Sequence, residues 1–139
     1  MPVPAWLLAP LLLSPLARAA TLDVTLDGLD GRRGKVRVAV VADEAGWTHA
    51  VEPVAVRLVE VSAASMPLHV RFDDLAPGRY AVEAYHDANA NGRLDLNLLR
   101  IPKEPVGASR NPEVWRRPRF DECVFELPTA GRAIEIRLK

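Results

Sequence analysis

The sequence predicts an all-β protein, an antiparallel two-sheet β-sandwich of seven to eight strands placed after a cleaved signal peptide. Three observations predict it. Beyond residue 20, apolar and polar residues alternate with period two over most of the chain, as in strands with one buried and one wetted face. Twelve prolines and recurrent glycines interrupt that alternation and argue against long helices. The strands so delimited are short and closely spaced, which is the pattern of a sandwich rather than of a helical or mixed fold.

Residues 1–20 read as a secretory signal. Ala5 to Leu13 is apolar and broken only by Pro10. Ala17-Arg18-Ala19 then places small residues at the two positions a signal peptidase reads. No Lys or Arg precedes the apolar run, so only the amino terminus supplies positive charge there. The segment is too short and too proline-broken for a membrane-spanning helix. Residues 21–139 then form a single domain with one modest core.

Within that domain Leu22, Val24 and Leu26 alternate with Asp23, Thr25 and Asp27. Val36, Val38 and Val40 alternate with Lys35, Arg37 and Ala39. Val54 to Val61 begins with Val54, Val56 and Leu58 on one face and continues with Val59 and Val61 on the other, which predicts a bulge or a change of sheet. Leu68, Val70 and Phe72 form the next strand, and Tyr80, Val82 and Ala84 the one after. Between them, Pro77-Gly78 reads as a type II turn with Gly78 at positive φ. Glu122 to Leu127 and Ile134 to Leu138 complete the seven, and 94–98 offers a short eighth. Ala42 to Ala50 has room for a turn of helix at most. Two long connections, Ala42 to Pro53 and Leu98 to Arg119, are of the length that carries function.

Eighteen basic and 18 acidic side chains balance, so a nucleic-acid binder, basic overall, is not indicated. The single cysteine, Cys123, excludes a disulfide within the chain. By alternation it shares a face with Phe125 and Leu127 and reads as a small buried hydrophobe rather than a nucleophile.

The chemistry concentrates in His86-Asp87-Ala88-Asn89-Ala90-Asn91-Gly92-Arg93-Leu94-Asp95. Oxygen-bearing side chains at every second position, followed by a glycine, match the start of a calcium loop. Asp87, Asn89 and Asn91 would be ligands one, three and five, the Arg93 carbonyl seven, and Asp95 nine. Position twelve, normally a bidentate Glu, is Leu98, and Glu104 folding back from the long connection would replace it. With so few carboxylates, Ca²⁺ affinity would be on the order of 10⁻⁴ to 10⁻³ M, as in weak extracellular modules. The same residues also spell a metal-free reading, an Asn-Gly hairpin turn with local Asx bonds.

Other polar groups read as structural. His86 lies on the inward face with Tyr80, Val82 and Ala84 and reads as a core histidine tied to Asp87 or to a loop carbonyl. His49 and His69 lack any zinc spacing. Ser109, His86 and an Asp match a triad in residue type alone. Arg110, Arg116, Arg117 and Arg119 flank Trp115. Either they line a solvated loop with Trp115 laid on the sandwich edge, or with Trp47 they grip an envelope glycan, lipid or protein.

Residues 80–127 resemble an exported bacterial family, domain of unknown function 2141. The resemblance rests on Tyr80-Ala81-Val82, His86-Asp87-x-Asn89-x-Asn91-Gly92-x-Leu94-Asp95, Arg100-Ile101-Pro102-Lys103-Glu104, the Gly107-Ala108-Ser109 turn, and Pro118-Arg119-Phe120-Asp121-Glu122-Cys123-Val124-Phe125. Arg100 stands where a Gly is usual, and Val106-Gly107-Ala108 where an aromatic-Gly-Phe phrase is typical. The Leu75-x-Pro77-Gly78-x-Tyr80 phrase is likewise similar to exported transthyretin-like and carboxypeptidase-regulatory-like sandwiches. The resemblance implies export and a β-sandwich and supplies no activity. The expectation is therefore a periplasmic or secreted, non-catalytic module that meets an envelope or extracellular ligand; the remaining alternative is an enzyme acting on cell-wall polymers, for which the sequence offers no convergent pair of carboxylates.

Overall fold

The computed structural model describes residues 18–29, 33–62, 67–89, 92, 99 and 104–139. Residues 1–17 of the signal segment, the eighth strand over 94–98, and Asn91, Arg93 and Asp95 of the calcium loop lie outside the described residues, as does Leu98. Ala20, the last residue of the signal segment, is the first of a strand and is buried.

The protein is a two-sheet, all-β sandwich. Its strands are β1 (Ala20–Asp27), β2 (Lys35–Val41), β3 (Ala55–Glu60), β4 (Leu68–Leu75), β5 (Gly78–Asp87), β6 (Val106–Ala108), β7 (Phe125–Leu127) and β8 (Arg132–Arg137). Two short helices, α1 (Glu44–Trp47) and α2 (Phe120–Cys123), interrupt them. The first sheet has the order β4-β1-β8; the second has the order β3-β2-β5-β6, with β7 also pairing with β5. No described helix is long and apolar enough to cross a membrane.

Period-two alternation places the core. Leu22, Val24 and Leu26 of β1 face Val36, Val38 and Val40 of β2 across the sandwich, with Phe72, Tyr80, Val82 and Ile136 between the layers. A smaller cluster lies on the outer face of the second sheet, where Val41 and Ala81 meet Trp47, Ala108 and Cys123.

Four expectations are corrected. The strands are not all antiparallel: β1 and β8 run parallel, Leu22 opposite Arg132 through Asp27 opposite Arg137. Alternation is identical in parallel and antiparallel strands, so it carries no information on direction.

β3 holds an unbroken register, from Lys35 opposite Glu60 to Val40 opposite Ala55, with no bulge. Ala55 and Val59 pack on the core, and Arg57 between them lays its guanidinium 5.0 Å from the Phe72 ring centroid. Leu58, which suggested a change of face, points to solvent.

Gly78 is not in the left-handed region. Pro77-Gly78 carries the chain from one sheet to the other, and the Tyr80 hydroxyl closes that corner by donating to the Ala76 carbonyl at 2.6 Å.

Finally, Phe120–Cys123 is helical, and only Phe125–Leu127 of the expected last-but-one strand is paired as a strand. Glu122 accepts the Arg119 backbone N–H at 2.8 Å, a local cap that wins over alternation. Cys123 is buried as expected, but in the outer cluster and not beside Phe125 and Leu127 in the main core.

Candidate functional site

The end of β5 places the first candidate site. Residues 83–85 pair with β6, and just beyond them the His86 N–H donates to the Pro105 carbonyl at 2.9 Å. That backbone bond brings the residue before Pro105 back to the strand end. Glu104 is buried there, and its Oε1 accepts the Ala88 N–H at 3.1 Å. Asp87 is buried as well, and its Oδ2 accepts the Gly92 N–H at 2.7 Å. The carboxylate suggested to fold back from the long connection thus reaches the residue next to Asp87. Asn89 is exposed on the same turn.

Taking two carboxylates out of water is costly, and hydrogen bonds from backbone N–H groups offset part of that cost. A hard cation held by oxygen ligands would offset more. Among the described residues, no three His, Cys, Asp or Glu side chains gather into a metal-holding group. The Tyr85 hydroxyl, on the same outer face, is pushed above its ordinary pKa. Burial is the main cause; Arg37 opposes the shift, and Asp87, Glu104 and Glu83 add to it.

His86 is fully buried, and its Nε2 lies 2.6 Å from the Arg33 carbonyl, so that nitrogen donates. A loop carbonyl is therefore its partner, as expected, while Nδ1 has none. Ser109 is also fully buried, and its hydroxyl donates to the Cys123 carbonyl at 2.6 Å while accepting the Val82 N–H at 2.9 Å. The Ser109 hydroxyl and His86 Nε2 are committed to backbone groups, so no Ser109–His86 pair is assembled. Burial pushes the Cys123 thiol pKa up to about 11, which disfavours the thiolate.

A second constellation centres on Glu83, in mid-strand on the outer face. His49 Nε2 lies 2.9 Å from its Oε1, Arg117 Nη2 3.2 Å from its Oε2, and Arg37 Nη1 3.8 Å from its Oε1. Arg117 also donates to the Trp47 carbonyl at 2.6 Å and stacks 5.3 Å from the Trp47 ring centroid. The Trp47 indole N–H donates to the Pro118 carbonyl at 2.8 Å. Nothing in the sequence singled out Glu83; it is one of several polar residues in an alternating strand.

The arginines around Trp115 are not a free basic patch. Arg116 makes two bonds to Glu122, at 2.9 and 2.7 Å, and Arg119 reaches Asp121 at 3.2 Å. Trp47 is buried by its contacts with Arg117, Pro118 and Phe120, which removes it from any exposed grip. Trp115 is not laid on the sandwich edge either: its side chain is wholly exposed.

Compared with known families, residues 24–135 match the model described as an uncharacterized protein conserved in bacteria (DUF2141). Comparison with curated proteins and with solved structures returned no match.

Proposed function

The chain belongs to the DUF2141 family of bacterial proteins, and from that premise we propose that it is an exported, non-catalytic β-sandwich module whose β5 end holds a weak structural Ca²⁺. The observation that carries this reading is the return of Glu104 to the residue beside Asp87, with both carboxylates buried. The sequence spacing of Asn89, Asn91 and Asp95, with the Arg93 carbonyl, would complete an oxygen set around them. The bound ion would pin the end of β5 to the connection that leads into β6. Export rests on the signal-like residues 1–20. The non-catalytic reading is supported by the Ser109 hydroxyl and His86 Nε2, which both serve backbone groups.

The test is thermal melting of residues 21–139 in EGTA and in Ca²⁺. A midpoint raised by several degrees in 10 mM Ca²⁺ and restored by chelator supports the ion. An unchanged midpoint refutes it.

One observation favours a second reading, in which the module docks on envelope material. Trp115 is fully exposed on a loop whose neighbouring arginines are braced by carboxylates. Side chains of this kind anchor interfaces. Trp115→Ala that leaves the melt unchanged but abolishes retention on envelope fractions would support this reading, and unchanged retention would refute it.

A further inference from the structure

We propose that the two connections covering the outer face of the second sheet form one strap that opens as a unit, with Glu83 as its latch. One connection contains α1 and His49; the other runs from Arg110 through α2. Each fastens to the same carboxylate, His49 at 2.9 Å and Arg117 at 3.2 Å. Each also grips the other: Arg117 donates to the Trp47 carbonyl, and the Trp47 indole N–H donates to the Pro118 carbonyl. Displacing either connection therefore strains the other, so they move together.

Backbone conformation marks one end of the strap. Among the described residues, the non-glycines with positive φ are His49 at 62°, Arg110 at 66° and Asn111 at 45°. Left-handed backbone outside glycine costs energy and persists where surrounding contacts hold it. At His49 the left-handed turn is the C-terminal cap of α1, with the Ala50 N–H donating to the Ala45 carbonyl at 2.8 Å and the His49 N–H to the Gly46 carbonyl at 3.2 Å, and it leaves the imidazole within reach of Glu83. Asn111 is held by β8, its amide donating to the Glu135 carbonyl at 2.9 Å and its Oδ1 accepting the Arg137 N–H at 2.8 Å. Ser109, one residue before this pair, stays with the sheet, its N–H donating to the Val82 carbonyl and its hydroxyl accepting the Val82 N–H, while its bond to the Cys123 carbonyl is one that opening breaks. The hinge lies at Arg110-Asn111, between the fixed Ser109 and the moving loop.

Beneath the strap is a floor of small and medium residues, Val41, Ala81 and Ala108. Trp47, Phe120 and Cys123 cover it. Opening uncovers that floor and the Cys123 thiol, which is fully buried in the closed form.

Cys123 is the chain's only cysteine, so a thiol reagent reads the opening at a single position. The experiment measures the labelling rate of Cys123 in the full chain across sub-denaturing urea concentrations, beside the global unfolding curve. A strap predicts labelling of the wild type through a step nearly insensitive to urea, because local opening exposes little surface. It also predicts about tenfold faster labelling in Glu83→Gln, because the charge that binds His49 and Arg117 is gone. Arg117→Met and His49→Ala, which each remove one latch contact, are expected to accelerate labelling less than Glu83→Gln. Arg71→Ala, which removes two surface pairs on the other sheet, with Asp23 and Asp73, is expected to leave it unchanged. Labelling that follows global unfolding with the same urea slope overturns the proposal. So does an unchanged rate in the latch variants, and either Arg117→Met or His49→Ala decides the matter if Glu83→Gln does not fold.

Discussion

Glu104 and Ala88 lie sixteen residues apart and meet at the end of β5, where the Glu104 carboxylate accepts the Ala88 N–H at 3.1 Å. This bond makes Glu104 the residue whose removal separates a calcium site from a metal-free turn. Glu104→Gln keeps an acceptor for Ala88 and removes the charge a cation needs. With affinity on the order of 10⁻⁴ to 10⁻³ M, 10 mM Ca²⁺ would stabilise the native state by roughly 1.4 to 2.7 kcal/mol. Glu104→Gln is expected to lose most of the resulting rise in melting temperature while melting near the wild type in EGTA. Differential scanning fluorimetry with and without Ca²⁺ measures both; a full rise in the variant would remove Glu104 from the ligand set.

Ser109 joins β5 to α2 from a fully buried position, with one hydroxyl serving two backbone groups. Ser109→Ala leaves the Val82 N–H and the Cys123 carbonyl without that partner. Leaving buried polar groups unsatisfied costs about 1–3 kcal/mol. A lower urea midpoint with unchanged slope is expected; a midpoint equal to the wild type would show that water replaces the hydroxyl.

These residues also show what the sequence carries and what it hides. The strands were legible because burial on one face writes itself as alternation, as in Leu22, Val24 and Leu26. The buried role of His86 was legible for the same reason, from its phase with Val82 and Ala84. Strand direction was hidden, since β8 would alternate in the same way whether parallel or antiparallel to β1. The helical turn at Phe120–Cys123 was hidden behind apolar residues that fit either period, and only the Glu122 cap decided between them. The return of Glu104 to the strand end was legible because a known calcium spacing left a gap at Leu98. Glu83 was not legible, because its partners come from three separate segments and meet only in the fold.

The Glu122 carboxylate predicts a response to acid. Two bonds from Arg116, then the Arg119 backbone N–H, hold its pKa near 2, well below the usual carboxylate range. A depressed carboxyl contributes stability above its unfolded pKa of about 4.3, and that stability is lost as pH falls through the folded value. The wild type should therefore lose stability between about pH 5 and pH 2. Glu122→Gln should start less stable at pH 5 and show a shallower loss. Urea unfolding at several pH values across that window measures the slope, and equal slopes in the two proteins would exclude Glu122 as a source.

Gly34 closes the same site from the opposite strand. It stands at the start of β2 with φ of 100°, a conformation that side chains rarely adopt. A Cβ there would drive into the Asp87 carbonyl oxygen and stand 2.8 Å from the Ala88 Cα. Both obstacles are backbone, so no rotamer change relieves them. The Gly34 carbonyl also accepts the Val61 N–H at 2.9 Å, which ties β3 to the same point. Gly34→Ala must push the end of β5 outward, away from the position where Glu104 reaches Ala88. Strained backbone of this kind costs on the order of 1–3 kcal/mol, and the displaced strand end should also lose its Ca²⁺ response. The two effects are separable: the urea midpoint in EGTA reports the strain, and the added shift in Ca²⁺ reports the site. A variant that is destabilised yet gains the full wild-type shift would show that Ca²⁺ does not bind at the Asp87 end of β5.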